Sequence, residues 1–240
     1  MATDGSIAGR DLFDSLNIEY EHAYRNNPFK KNLIKHCISL LEPGSRVLDV
    51  GCGTGVPVSQ MLADAGMEVE GFDIAPKMVE LASNRVPKGK FEATDMLEYQ
   101  PKGHFAGIFI IYSHLQLDYS SFHSATFKLA KALKVGGIVA IGQSPTDTRV
   151  PKDDPAFDET QSYVEAFNLP FWGEPLDTFM MSRAGQKEFL TSMGLEIVYE
   201  TVDDFQPDNP KCGVETQQYV VGRRPNDAPL SPPKPLPNAH

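Results

Sequence analysis

Residues Asp49-Val50-Gly51-Cys52-Gly53-Thr54-Gly55 place three glycines on alternate positions, at the end of the apolar stretch RVLDV (46–50) and before a stretch of helical periodicity. Without a Cβ, such a loop can turn sharply and bring its backbone against a ligand. The N–H groups that open the following helix then favour an anionic group of that ligand. The spacing departs from the dinucleotide fingerprint, whose third glycine comes three positions after the second; that position here is Val56. A phosphate loop needs Gly-Lys-Ser/Thr, and the pair Gly89-Lys90 runs into Phe91. Two acids close apolar stretches further on, Asp73 after EVEGF and Asp95 after the stretch at 90–94. A carboxylate in such a place can take two hydrogen bonds from a ligand, or simply cap the next helix. A third group, Tyr112, Ser113, His114, Gln116 and Asp118, follows FAGIFII. Within it His114 could serve as a base, with structural packing as the alternative. Cys52 has no His or Asp placed beside it by the sequence, so it reads as a small packed residue and not a nucleophile.

The elements that must position these residues alternate. Strands are expected at 46–50, 68–72, 90–94, 105–111 and 138–142, and helices at 55–65, 76–86 and 119–134, where apolar residues recur every three or four positions. A helix at 183–193 and strands near 195–200 and 216–221 complete the set, and residues 10–41 read as two further helices. In the second of these Asn27 can cap, Pro28 takes the first helical position, and Leu33, Ile34, Cys37 and Leu41 form a stripe. Alternation of this kind implies an α/β fold, a doubly wound and mostly parallel sheet with ligands at the C-terminal ends of its strands. Residues 1–222 are expected to form one domain, with N-terminal helices at 10–44.

Residues 143–181 break the pattern. They hold six aromatics (Phe157, Tyr163, Phe167, Phe171, Trp172, Phe179) and eight acids against two bases. A loop of this length is usually functional or disordered, and the aromatics oppose disorder. It reads as a cap over a small-molecule pocket, the alternative being a helical excursion packed on the core; its acids suggest a cationic acceptor, unless they are merely solvated. Residues 223–240 carry six of the 19 prolines and are expected to form a disordered tail. The net charge of −10 opposes nucleic acid and anionic membrane surfaces as partners. Three widely spaced cysteines and an N-terminus without an apolar run suggest a reducing, cytoplasmic setting, with no metal site.

The glycine loop resembles motif I of the class I S-adenosylmethionine-dependent methyltransferases, D-x-G-x-G-x-G after the first strand. GFDIAPKMVELA (71–82) resembles the family's second motif, GKFEATDML (89–97) its third, and LKVGGIVAIGQ (133–143) its fifth-strand segment. Together they cover about residues 15–142 and extend weakly to about 222. The resemblance implies a seven-stranded sheet and S-adenosyl-L-methionine as cofactor. It implies that Gly51, Cys52 and Gly53 line the methionine part through backbone contacts, that Gly55 and Tyr112 belong with them to the cofactor-binding set, and that Asp49 sits beneath the loop near the positive end. Asp73 would take the ribose hydroxyls, Ile74 and Met78 would sandwich the adenine, and Asp95 and the backbone of Met96 would bond its edge. Tyr20 and Tyr24 match tyrosines that close over the cofactor, and Tyr112 stands at the end of strand four.

Many small-molecule members carry a histidine where Gln116 aligns, so the family's base does not transfer; His114 or Gln116 is the candidate catalytic residue. The amino-methylating motif N/D-P-P-Y is replaced by Tyr112-Ser113-His114-Leu115, and the paired-glutamate loop of protein-arginine enzymes is missing. What remains is methylation of a small molecule, at oxygen in preference to nitrogen, with specialised metabolism suggested by fold-level analogy. Three rivals stand beside it. One is a pericyclase or cyclase on the same fold that uses the cofactor as a positive prop. Another is a nicotinamide-dependent reductase, whose Tyr-x-x-x-Lys pair is absent. The last is an interaction module.

Overall fold

In the computed structural model, which describes residues 4–233, a seven-stranded sheet runs in the order β3-β2-β1-β4-β5-β9-β8. Its strands are β1 (Arg46–Val50), β2 (Glu68–Asp73), β3 (Lys90–Ala93), β4 (Phe105–Ile111), β5 (Leu133–Gln143), β8 (Glu196–Phe205) and β9 (Glu215–Arg223). The first five are mutually parallel, whereas β9 runs antiparallel to both β5 and β8. The helices are α1 (Asp4–Tyr24), α2 (Pro28–Ser39), α3 (Val58–Asp64), α4 (Pro76–Arg85), α5 (Tyr119–Ala130) and α6 (Arg183–Ser192). Strand order reverses between β1 and β4, and this switch point opens the crevice in which open α/β sheets bind ligands.

Alternation along each strand sends side chains to two cores. Val47, Phe109, Ile111, Ile138 and Ala140 pack with Leu33, Ile34 and Cys37 of α2 and with Val58 and Leu62 of α3. Leu48, Val50, Ile108, Ile110, Val139 and Ile141 pack on the other face with Phe122, Ala125 and Leu129 of α5 and with Phe189 and Leu190 of α6. The expected strands therefore have apolar residues on both sides because both sides are covered.

Four expectations need correction. The helix expected from residue 55 begins at Val58, because Gly53 and Gly55 both adopt positive φ in the preceding turn. The helix expected to 134 ends at Ala130; Leu133 is instead the first residue of β5 and pairs with Phe105, a strand use that its apolar spacing could not separate from a helix. Residues 143–181 are neither helical nor loose. After a single 3-10 turn at Thr146–Thr148 they form an antiparallel hairpin, β6 (Tyr163–Phe171) and β7 (Glu174–Met181), joined by Trp172 and Gly173 with positive φ at both. The start of the expected tail also departs from expectation. Residues 224–233 lack helix and strand but return to the body, where Leu230 joins the core beside α5 and α6 and Ser231 N donates to Met193 O at 3.2 Å. The remaining residues of that segment, 234–240, lie outside the described residues.

Candidate active site

At the end of β1 the chain turns through Gly51 (φ 63°) and Gly53 (φ 53°). A Cβ on Gly51 would lie 2.2 Å from that of Ser113, so the loop must pass this close to the end of β4. A Cβ on Gly53 would meet nothing within 4 Å and would project into open space. Gly55 serves differently: a Cβ there would come within 3.2 Å of the Cα of Ala82 in α4, and the residue does not line the cavity, contrary to the expected cofactor contact. Asp73 braces the loop, and Asp49 of β1 holds Ser59 of α3. Asp73 Oδ2 accepts from Gly53 N at 2.8 Å and Oδ1 from Ala75 N at 2.9 Å, and burial raises its pKa. Asp49 accepts from Ser59 Oγ at 2.6 Å, and burial pushes its carboxyl up to about 7. Cys52 is buried and its thiol is pushed well up by that burial, which suits a packed residue and not a nucleophile.

Beneath the loop, at the switch point, lies a cavity that opens to solvent. Tyr20, Asp49, Gly51, Cys52, Gly53, Asp73, Ile74, Met78, Asp95, Met96, Tyr112 and Gln116 all line it. Asp95 Oδ1 accepts from Leu97 N at 2.7 Å, while Oδ2 is buried without a hydrogen-bond partner among the described residues. An orphaned acceptor of this kind is costly unless a ligand donates to it. An amine-bearing aromatic ring between Ile74 and Met78 would do so. The Asp73 carboxylate also keeps acceptor capacity beyond its backbone bonds. The donor and acceptor set thus fits an adenosyl group.

A second cavity adjoins the first. Phe13, Tyr20, Tyr24, Lys30, Tyr112 and Gln116 line both and form the wall between them. Its far side is built by the hairpin (Leu169, Phe171, Trp172, Leu176, Thr178 and Met180) and by Arg149, Lys211, Cys212, Glu215 and Gln217. Helix α1 roofs this region, the ring of Tyr20 lying 4.7 Å from that of Tyr24 and 6.3 Å from that of Phe171. The hairpin thus walls the second cavity, whereas Asp147, Asp158 and Glu165 of the same segment do not line it. Asp158 and Asp147 accept backbone N–H groups of Ser162 and Arg183, and Glu165 accepts from Tyr119 N. The charged groups that line the second cavity are Lys30, Arg149, Lys211 and Glu215, which removes the reason for a cationic acceptor.

His114 is not in either cavity. It is fully buried, stacked on Phe122 with ring centroids 4.3 Å apart and packed edge-on to Phe179, on the α5 face of the sheet. Burial pushes its pKa down to about 4, and the candidate base is a core residue. Its neighbours account for this: β4 ends at Ile111, Tyr112 adopts φ 60°, and the chain turns so that Tyr112, Ser113 and Gln116 face the ligand while His114 turns inward. A positive φ at a bulky residue costs on the order of 1–3 kcal/mol and is typical of binding sites.

Lys30 escaped the sequence reading. It sits on the buried face of α2 with Leu33, Ile34 and Cys37, and a lysine on an apolar stripe (30, 33, 34, 37) was the available signal. Its Nζ lies 5.9 Å from the Tyr24 ring centroid and 5.5 Å from that of Tyr112, and burial lowers its pKa to about 8. Glu215 was also missed; its Oε1 accepts from the Tyr24 hydroxyl at 2.6 Å. No sequence signal places a β9 residue beside α1, because that contact spans 191 positions.

The sheet order, the glycine loop and the acids after β2 and β3 define a class I methyltransferase fold. Comparisons with known proteins agree, and residues 47–137 match the family described as a methyltransferase domain. The chain is 27% identical over 179 residues to an O-methyltransferase of Pyrenophora dematioidea, a match that spans 72% of this chain and 61% of that protein. A ubiquinone biosynthesis O-methyltransferase of Bordetella avium is 39% identical over 64 residues, 27% of this chain and 26% of that one. The matches thus span about three fifths of the first relative and a quarter of the second. Among solved structures, the N-methyltransferase NodS of Bradyrhizobium japonicum WM9 with S-adenosyl-l-homocysteine superposes with a TM-score of 0.65 at 18% identity, over 93% of this chain and 100% of that one. Magnesium protoporphyrin IX methyltransferase of Synechocystis PCC 6803 gives 0.64 at 16% identity, over 92% and 98%. At these identities the structures share the fold.

Proposed function

We propose that the protein transfers a methyl group from S-adenosylmethionine to a hydroxyl oxygen of a small-molecule acceptor. The observation that carries this reading is the pair of cavities with a common wall at Tyr20, Tyr24, Lys30, Tyr112 and Gln116. One suits an adenosyl ligand and the other an apolar, ring-shaped one. Bound in the first cavity, the cofactor supplies an electrophilic methyl group on a positively charged sulfur. Asp73 and Asp95 anchor its polar edges, and Ile74 and Met78 pack on its ring. Tyr20 and Tyr24 exclude water from the side of α1, so the protein's part is alignment and desolvation.

The apolar hairpin wall of the second cavity supports a small acceptor. Oxygen is preferred to nitrogen because the cations of the second cavity favour an acceptor that develops negative charge. The free thiols of Cys37, Cys52 and Cys212 suit a reducing compartment, and we place the enzyme in the cytoplasm, acting on specialised metabolites. Among the described residues no helix is long and apolar enough to cross a membrane.

Calorimetric titration with S-adenosylmethionine, S-adenosylhomocysteine and NADH tests the reading. Micromolar binding of both adenosyl ligands and none of NADH is expected; absence of both would refute it. An acceptor screen scored by S-adenosylhomocysteine release then separates methylation from a rearrangement that leaves the cofactor intact.

A further inference from the structure

Building on the methyltransferase reading, we propose that the second cavity takes a planar acceptor with an acidic hydroxyl, a phenol or an enol, and that Lys30 Nζ is the base that receives its proton. The step is a proton transfer. The acceptor's O–H bond breaks, the electron pair stays on oxygen, and an N–H bond forms on Lys30.

Position is the first argument. The acceptor oxygen must lie where the two cavities meet, and six residues form that wall: Phe13, Tyr20, Tyr24, Lys30, Tyr112 and Gln116. Burial raises the pKa of Tyr20, Tyr24 and Tyr112 above the usual phenol value, so these hydroxyls stay protonated. An amide such as that of Gln116 is no base, and His114 is stacked on Phe122 in the core. Lys30 is the remaining group of that wall able to take a proton.

The second argument is that its amine is positioned without being neutralised. Asn27 caps α2 by accepting from Phe29 N and Lys30 N at 3.0 Å, and Asn27 Nδ2 in turn donates to Gln217 Oε1 of β9 at 2.6 Å. The groups that face Lys30 are Tyr24 from α1, Asp49 from β1, Tyr112 after β4 and Glu215 from β9. Both carboxylates are engaged elsewhere, Glu215 by the Tyr24 hydroxyl and Asp49 by Ser59. Lys30 makes no ion pair among the described residues. Burial outweighs the pull of Glu215 and Asp49 and lowers the pKa to about 8, so the neutral amine predominates above that pH. Once protonated, the ammonium lies within 6 Å of two ring centroids, close enough for cation–π attraction.

Third, the cavity matches the acceptor. Phe171, Trp172 and Tyr24 offer aromatic walls, while Arg149 and Lys211 bring positive charge towards a developing oxyanion.

2-Naphthol is a suitable probe, titrated at about pH 8.5, above the value for Lys30 and below that of an ordinary phenol near 10. Protein saturated with S-adenosylhomocysteine is used, and the heat of that first addition tests the methyltransferase reading by itself. We expect naphthol to bind with the naphtholate absorbance band and no net proton release, read as equal heats in two buffers of different ionisation enthalpy. Lys30→Met should bind naphthol with the band reduced at least about tenfold. Lys30→Arg, a fixed cation, should keep the band while releasing one proton per naphthol. Wild-type binding without the band overturns the base, as does release of one proton or a band that survives in Lys30→Met. Absence of naphthol binding overturns the acceptor class. The wild-type readings decide even if neither variant folds.

Discussion

Asp73 and Asp95 look equivalent in the sequence, each ending a short strand, yet the structure loads them differently. Asp73 already spends one lone pair of each oxygen on the backbone N–H groups of Gly53 and Ala75, so it shapes the glycine loop as well as facing the cavity. Asp95 holds Oδ2 in reserve. Asp73→Ala should therefore weaken adenosyl-ligand binding by about 1.5–3 kcal/mol, the scale for losing charge-assisted hydrogen bonds. Calorimetry on the folded variant checks this, and unchanged affinity would remove Asp73 from the ribose site. At this scale the acids that line the first cavity were legible because each follows a strand at a fixed offset. The catalytic choice was not. Whether His114 or its neighbours face the ligand depends on the positive φ of Tyr112, which no pattern of residue types reveals. Lys30 was hidden for a related reason: its charge reads as surface until α2 is docked on the sheet.

At the scale of elements, α2 is the part most dependent on a single residue. Asn27 caps it, and the same side chain donates to Gln217, whose Oε1 also accepts from the Tyr219 hydroxyl at 2.8 Å. Removing the side chain loses the cap, worth roughly 0.5–2 kcal/mol, and weakens the satisfaction of a buried amide, at about 1–3 kcal/mol. Asn27→Ala should thus lower unfolding free energy by about 1.5–5 kcal/mol in denaturant melts, the sum of those two effects. Asn27→Asp keeps an accepting cap oxygen but cannot donate to Gln217, so it should recover part of that loss and no more. Equal melts for Asn27→Ala and wild type would show that α2 is held by its apolar stripe alone. The central strands β1 and β4 were read correctly because both their faces are buried and their apolar runs are nearly continuous. The hairpin β6–β7 was not, since its turn uses Trp172 where Asn or Asp before Gly is the usual signal.

Across the whole molecule, binding function is set against stability at two buried charges. Asp49 is held up at about 7 against its ordinary 3.8, so the stability it contributes is present below about pH 4 and lost as pH rises through 7. Lys30 is held down at about 8 against 10.5; its contribution is present above about pH 10.5 and lost as pH falls through 8. Both penalties therefore coincide near pH 7–8, where each group is charged in the unfolded chain. For Lys30, at 6% exposure, the shift corresponds to on the order of 3 kcal/mol. Natural proteins commonly carry such costs at functional sites. Lys30→Met, apolar and of similar length, should accordingly raise the melting temperature at pH 7 by several degrees, at roughly 2–4 °C per kcal/mol for a chain of this size. The sign of the pH dependence separates this cause from better packing. Burial of a methionine would stabilise at every pH, whereas relief of a buried ammonium must shrink as pH climbs from 8 towards 10.5, where the wild-type lysine is neutral in the folded state and increasingly so in the unfolded one. Melts of both proteins at pH 7, 9 and 10.5 measure it, and a constant gain would show that Lys30 imposes no electrostatic cost on the fold.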